Sequence, residues 1–177
     1  VAYVWAMENL IAGDEIILSV MDHHANIVPL HFLRERFGVV MKWVDIEAQG
    51  NMDSQVVIDA ISERSKLIAI THMSNVLGSV VDVKTICHHA RSRGVPVLVD
   101  GSQAAVHHAV DVQDIGCDFY AITGHKLCGP SGSGAIFMRA ERMAEMRPFI
   151  GGGDMIKGVH KDNVIYNDPP MMLEAGT

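Results

Sequence analysis

Cysteine is scarce in this chain of 177 residues: only Cys87, Cys117 and Cys128 are present. An odd number with no CxxC spacing argues against a disulfide scaffold and for a reduced, cytoplasmic setting. Basic charge is also short, with 14 Lys and Arg against 21 Asp and Glu and a net charge of −7. No basic block is left to hold phosphodiesters, which excludes nucleic acid as a main partner. The apolar runs are too short to span a bilayer, and no secretory signal is visible. Nucleotide-binding punctuation is missing too: GxGxxG does not occur, and the GPSGSG stretch lacks the lysine–serine ending of a phosphate loop. The ten histidines include the pairs His23-His24, His88-His89 and His107-His108. Adjacent residues do not easily present both rings to one ion, and HExxH is absent, so no metal is expected.

What is present is apolar substance. At 49% hydrophobic, the chain can bury one sizeable core, and one domain is the expectation. Val1–Ile11 reads as the back half of a helix, and the chain stops at Thr177 without a closing element. Both ends therefore read as cuts in a longer protein. Strand Asp14–Ser19 is followed by the polar MDHHAN. Ile27, Leu30, Leu33 and Phe37 recur at helical spacing up to Gly38. Residues 39–44 suggest a strand near a sheet edge. Asp53 caps a helix running to about Arg64, and Lys66–Thr71 is the next strand. Asp82 caps a helix with Val83, Ile86, Cys87 and Ala90 on one face. Val95–Asp100 is apolar enough for a strand buried on both sides. Phe119–Ile122 and Gly134–Met138 are further strands, with a short helix at Glu141–Met146. Beyond Arg147, the glycines and the Pro169-Pro170 pair indicate loop or hairpin. This alternation predicts an α/β fold built on a mostly parallel sheet with right-handed crossovers and flanking helices.

In such a sheet the carboxyl ends of the strands share one rim, where ligands bind. That rim collects His23 and His24, then His72 and Asn75, then Asp100 and Gln103, then Thr123, His125 and Lys126. Lys126, read alone, is either a solvated loop lysine or a Schiff-base amine. Asp100 is either a turn residue or the partner of a buried cation. His23 is either a satisfied core histidine or a ring-stacking group. Together they match pyridoxal 5'-phosphate, which needs a lysine for its aldehyde and an aspartate at its pyridinium nitrogen. Gln103 would then face the ring oxygen, and Thr123 and His125 the phosphate.

The segments AGDEIILSVMDHHANIVP, ITHMSNVLGSVVDV, VPVLVDGSQAAVHHAVDVQDIGCDFYAITGHKLCGPSGSGAIF, GGGDMI and LEAGT resemble the group II cysteine desulfurases. These are fold-type I pyridoxal phosphate enzymes of the class V aminotransferase family. The resemblance covers essentially all 177 residues. It implies that residues 1–177 are the cofactor-binding large domain, without the N-terminal segment and the small C-terminal domain. It implies catalytic roles for Lys126 and His23, and cofactor contacts from His23, Asn75, Asp100, Gln103, Thr123, His125 and Lys126. Thr177 would reach the phosphate of a neighbouring subunit in a homodimer. The implied substrate is L-cysteine or L-selenocysteine, and the implied partner is a sulfur-acceptor protein of iron–sulfur cluster assembly. The family's nucleophilic cysteine has no match among the three here, so the chain by itself is expected to be inactive. Cys128 is expected to be a buried spectator thiol. Alternatives are another class V enzyme, such as a selenocysteine lyase, aminotransferase, epimerase or kynureninase relative, or an inert scaffold fragment.

Overall fold

The computed structural model describes residues 1–174. They fall into two compact units, one of residues 10–137 and one of residues 1–9 together with the segment from Met138 onward.

The first unit is an α/β layer structure. Its strands are β1 (Glu15–Ser19), β2 (Val40–Val44), β3 (Ser65–Thr71), β4 (Val97–Asp100), β5 (Phe119–Thr123) and β6 (Gly134–Met138). They form one six-stranded sheet in the order β2-β1-β3-β4-β5-β6. Every pairing from β2 through β5 is parallel. β3, with Leu67, Ile68, Ala69 and Ile70 all buried, lies in the interior of this sheet. β2 is at the edge, as its mixed Lys42 and Trp43 pattern predicts, although its burial does not alternate cleanly.

Local sequence sets most of the helix ends. In α2 (His24–Phe37) the chain turns off at Gly38, whose φ of 71° is a left-handed cap that other residues adopt at a cost. Asp53 accepts the Gln55 amide to start α3 (Ser54–Ala60), and Asp82 accepts the Thr85 amide to start α4 (Val83–Ser92). α3 ends at Ala60 rather than near Arg64, because Ile61 is already extended at ψ 120°. Ile61 is buried, and the Arg93 guanidinium donates to its carbonyl and to that of Ile58. Between β4 and β5 the crossover shrinks to two single turns, α5 (Ala104–His107) and α6 (Val112–Ile115). The start of β4 is held by Asp118, whose buried carboxylate accepts the Val97 amide at 2.9 Å.

The second unit begins with a π-helical turn (Ala2–Ala6) and α1 (Met7–Asn9). It continues with α7 (Ala140–Ala144) and the antiparallel pair β7 (Ile156–Val159) and β8 (Val164–Tyr166). The hairpin expected beyond Arg147 is therefore present. Within this unit the Trp5 indole donates to the Glu145 carboxylate.

Ile70 is fully buried in β3, in contact with the main apolar cluster. Ile70→Ala is expected to lower unfolding free energy by about 2–5 kcal/mol in urea titrations. Trp43→Thr, at the 42% exposed edge position, should cost clearly less. Equal losses would contradict the assigned strand order.

Candidate active site

Parallel pairing brings the ends of β1, β3, β4 and β5 to one rim of the sheet. Each end carries residues singled out in the sequence.

After β1 the chain makes a tight turn organised by Asp22. Its carboxylate accepts the Ser19 amide at 2.6 Å and the Asn26 side-chain amide at 3.4 Å. Asp22 is buried at 6% exposure, and burial pushes its pKa up from 3.8 to about 6, against the hydrogen bonds that pull it down. His23 is the N-cap of α2, with Nδ1 accepting the Ala25 amide at 3.1 Å. That bond places the proton of a neutral ring on Nε2. His23 is exposed, not a core histidine.

The loop after β3 folds back through Ser74, whose hydroxyl accepts the amides of Val76 and Leu77. Its Asn75 faces His23 across a cavity of about 380 Å³, lined also by Asp22, His24, Ile46 and Leu77. The structure thus brings His23 and Asn75 to one cavity. Asp100, Gln103, Thr123, His125 and Lys126 are not on its walls; they occupy the next two strand ends.

β4 and β5 run in register, with Asp100 opposite Ala121. Asp100 is half-buried. Its Oδ1 accepts the Ser102 amide at 3.0 Å, and no hydrogen bond engages Oδ2 among the described residues. Gln103 is half-buried at the start of α5 and makes no side-chain cap bond. Past β5 the chain makes a 3-10 turn, Gly124–Leu127, that contains Lys126. Thr123 Oγ1 and His125 Nδ1 lie 2.9 Å apart. Half-buried Lys126 makes no ion pair among the described residues. Gly124 and Gly129 close the loop with a backbone bond of 2.8 Å. Cys128, expected to be buried, is exposed: it ends the turn in a left-handed conformation with φ 61°. Thr177 lies outside the described residues.

Two groups at this rim have no signature in the sequence. One is Asp22, which precedes His23 and is closed in by the Ser19 amide and Asn26. The other is Tyr120, whose Oη lies 2.8 Å from Nδ1 of His72, a residue the sequence does place at the rim.

The raised pKa of Asp22 gives a signed pH dependence. The protonated acid is favoured in the fold, so its contribution is complete below the ordinary 3.8 and disappears as pH rises through about 6. Asp22→Asn cannot titrate. The stability of the native protein relative to this variant should therefore fall between pH 4 and 7, by on the order of 3 kcal/mol. A gap independent of pH, in urea unfolding across that range, would contradict the buried neutral acid.

The family model described as Aminotransferase class-V matches residues 1–177. A "Probable cysteine desulfurase" of Xylella fastidiosa (strain 9a5c) is 51% identical over 177 residues, which are 100% of this chain and 42% of that protein. The crystal structure of the cysteine desulfurase CsdA of Escherichia coli superposes with a TM-score of 0.95 at 40% identity, covering 99% of this chain and 44% of that one. The cystine C–S lyase C-DES superposes with a TM-score of 0.88 at 25% identity, covering 100% of this chain and 48% of that one; it was solved with its product cysteine persulfide. A lysine-to-alanine variant of C-DES carries glycine covalently linked to the PLP cofactor. The chain thus spans less than half the length of these relatives. It belongs to the class-V aminotransferase family.

Proposed function

We propose that these residues form the pyridoxal 5'-phosphate-binding large domain of a cysteine desulfurase. The reaction takes the sulfur of L-cysteine onto an enzyme thiol and leaves L-alanine. The Cβ–Sγ bond breaks, an S–S bond forms, and the thiol becomes a persulfide. L-Selenocysteine is a second substrate of the same chemistry. The persulfide sulfur then passes to an acceptor protein of iron–sulfur cluster assembly, in the cytoplasm.

The observation that carries this reading is the register of β4 and β5, which sets Asp100 and the Lys126 turn on neighbouring strand ends. The donor set fits the cofactor. Among the described residues Asp100 has an oxygen to spare for a ring N–H and Lys126 is in no ion pair, while Thr123 with His125 offers a hydroxyl and an imidazole to an anion. When bound, pyridoxal 5'-phosphate supplies an electron sink that weakens the bonds at the substrate Cα and, through it, Cβ–Sγ.

The side chains divide the remaining work. Lys126 Nζ would hold the cofactor covalently and would be the base for the substrate Cα proton. Asp100 Oδ2 accepts the ring N–H and so keeps the pyridinium charged. His23 covers the ring face with Nε2–H as its available donor, because Nδ1 is held by Ala25. Gln103 donates to the ring oxygen, Asn75 orients the substrate side of the ring, and Thr123 and His125 bind phosphate. Thr177 completes the phosphate site of the partner in a homodimer. The sulfur-accepting thiol is a cysteine other than Cys87, Cys117 and Cys128; the first two are buried. A C–S lyase acting on cystine, like C-DES, is the second reading favoured by a structural likeness.

Borohydride reduction of the cofactor-loaded enzyme should fix the cofactor on Lys126, read by peptide mass. Fixation on Lys66 or Lys84 would sink the assignment. Asp100→Asn should lower cysteine-dependent alanine formation by roughly 10- to 100-fold, the worth of one charge-assisted contact. Wild-type turnover would show that the ring nitrogen is held otherwise. Persulfide release from cystine without alanine from cysteine would favour the lyase reading.

A further inference from the structure

Tyr120 occupies an unusual place for a polar side chain. It is 2% exposed and belongs to the main apolar cluster. Its ring lies where a Cβ at position 101 would be, so that any side chain there would overlap Cε1, Cζ and Oη. Glycine at 101 is therefore a packing requirement, and Gly101 is the residue that follows Asp100. The Tyr120 hydroxyl continues past Gly101 to His72 Nδ1 at 2.8 Å, and the two rings meet edge-on at 88°. His72 follows β3, and its amide donates to the Asp100 carbonyl at 2.9 Å. The Gly101 amide in turn donates to the Ala121 carbonyl at 2.9 Å.

One side chain from β5 thus crosses the exit of β4 and ends on the exit of β3. We propose that Tyr120, with His72, is a positioning strut that sets these strand ends together, and with them Asn75, Asp100 and the Lys126 turn. The proposal rests on the reading of this rim as the cofactor site.

The protonation states suit a strut rather than an acid or base. Burial, then electrostatic interaction with Cys117 and Asp100, pushes the Tyr120 phenol well above its ordinary value. Burial, then the charge of His108, pushes His72 down, with Asp82 opposing. The pair stays neutral, leaving Asp100 as the charge presented to a pyridinium.

Tyr120→Phe keeps the ring over Gly101 and removes only the bond to His72. His72→Leu breaks the same link from the other side, because leucine has no polar atom to meet the phenol. In the cofactor-free protein either variant should speed amide hydrogen exchange at residues 72–75, 100–103 and 121–126 together. The double variant should go no further than the singles, because both remove one interaction. In the cofactor-loaded enzyme, kcat should fall about tenfold with KM within twofold, and the visible cofactor band should titrate at a different pH. Tyr166→Phe serves as a control and should change nothing. Faster exchange confined to the residues beside the substitution, additive effects in the double variant, or a loaded Tyr120→Phe enzyme with wild-type kcat and band would each overturn the strut. If Tyr120→Phe does not fold, His72→Leu carries the same comparison. A wild-type enzyme that takes up no cofactor would defeat the cofactor reading instead, while the exchange comparison still decides on the strut.

Discussion

Buried parallel strands can send their N–H and C=O groups only to one another. In this chain that requirement locks β1, β3, β4 and β5 side by side, all pointing the same way. Their apolar interiors leave little freedom, since shifting β3 by one residue would bring Lys66 to a buried position. The polar residues placed just beyond each strand therefore have no choice of edge. His23, Asn75, Asp100 and Lys126 are far apart in sequence, and the ladder alone delivers them to one rim.

The same ladder explains which parts of the fold were legible from the residues. Gly38, Asp53 and Asp82 carry their instructions locally, as a left-handed cap and two side-chain caps, and each acts where it was expected. The end of α3 was not legible. Ser62, Glu63 and Arg64 continue a plausible helix, but the buried Ile61 and the guanidinium of Arg93, 32 residues away, determine the stop. Cys128, expected to be buried, is instead left exposed by the tight turn that carries Lys126.

At the rim, the residues that face outward were readable from strand–loop punctuation and from the resemblance. The residues behind them were not. Asp22 looks like loop polarity until the Ser19 amide and Asn26 close around it. Tyr120 looks like one more apolar strand residue until its ring is found over Gly101 and its hydroxyl on His72. Tyr120 depends on a partner 48 residues away, which no local pattern encodes, and Asp22 on a turn geometry that its polar neighbours do not announce. They also share a physical role. Each is a buried polar group satisfied by another, and satisfied buried groups hold a site in one geometry.

Charge completes the account. Among the described residues the rim sets an aspartate with an oxygen to spare beside a lysine in no ion pair, on adjacent strand ends, and it keeps the histidine–tyrosine pair behind them neutral. The most direct measurement is a crystal structure of the enzyme loaded with pyridoxal 5'-phosphate. The account predicts continuous density from Lys126 Nζ to the cofactor and an Asp100 oxygen within hydrogen-bond distance of the ring nitrogen. Density joined to another lysine, or a ring nitrogen turned away from Asp100, would contradict it.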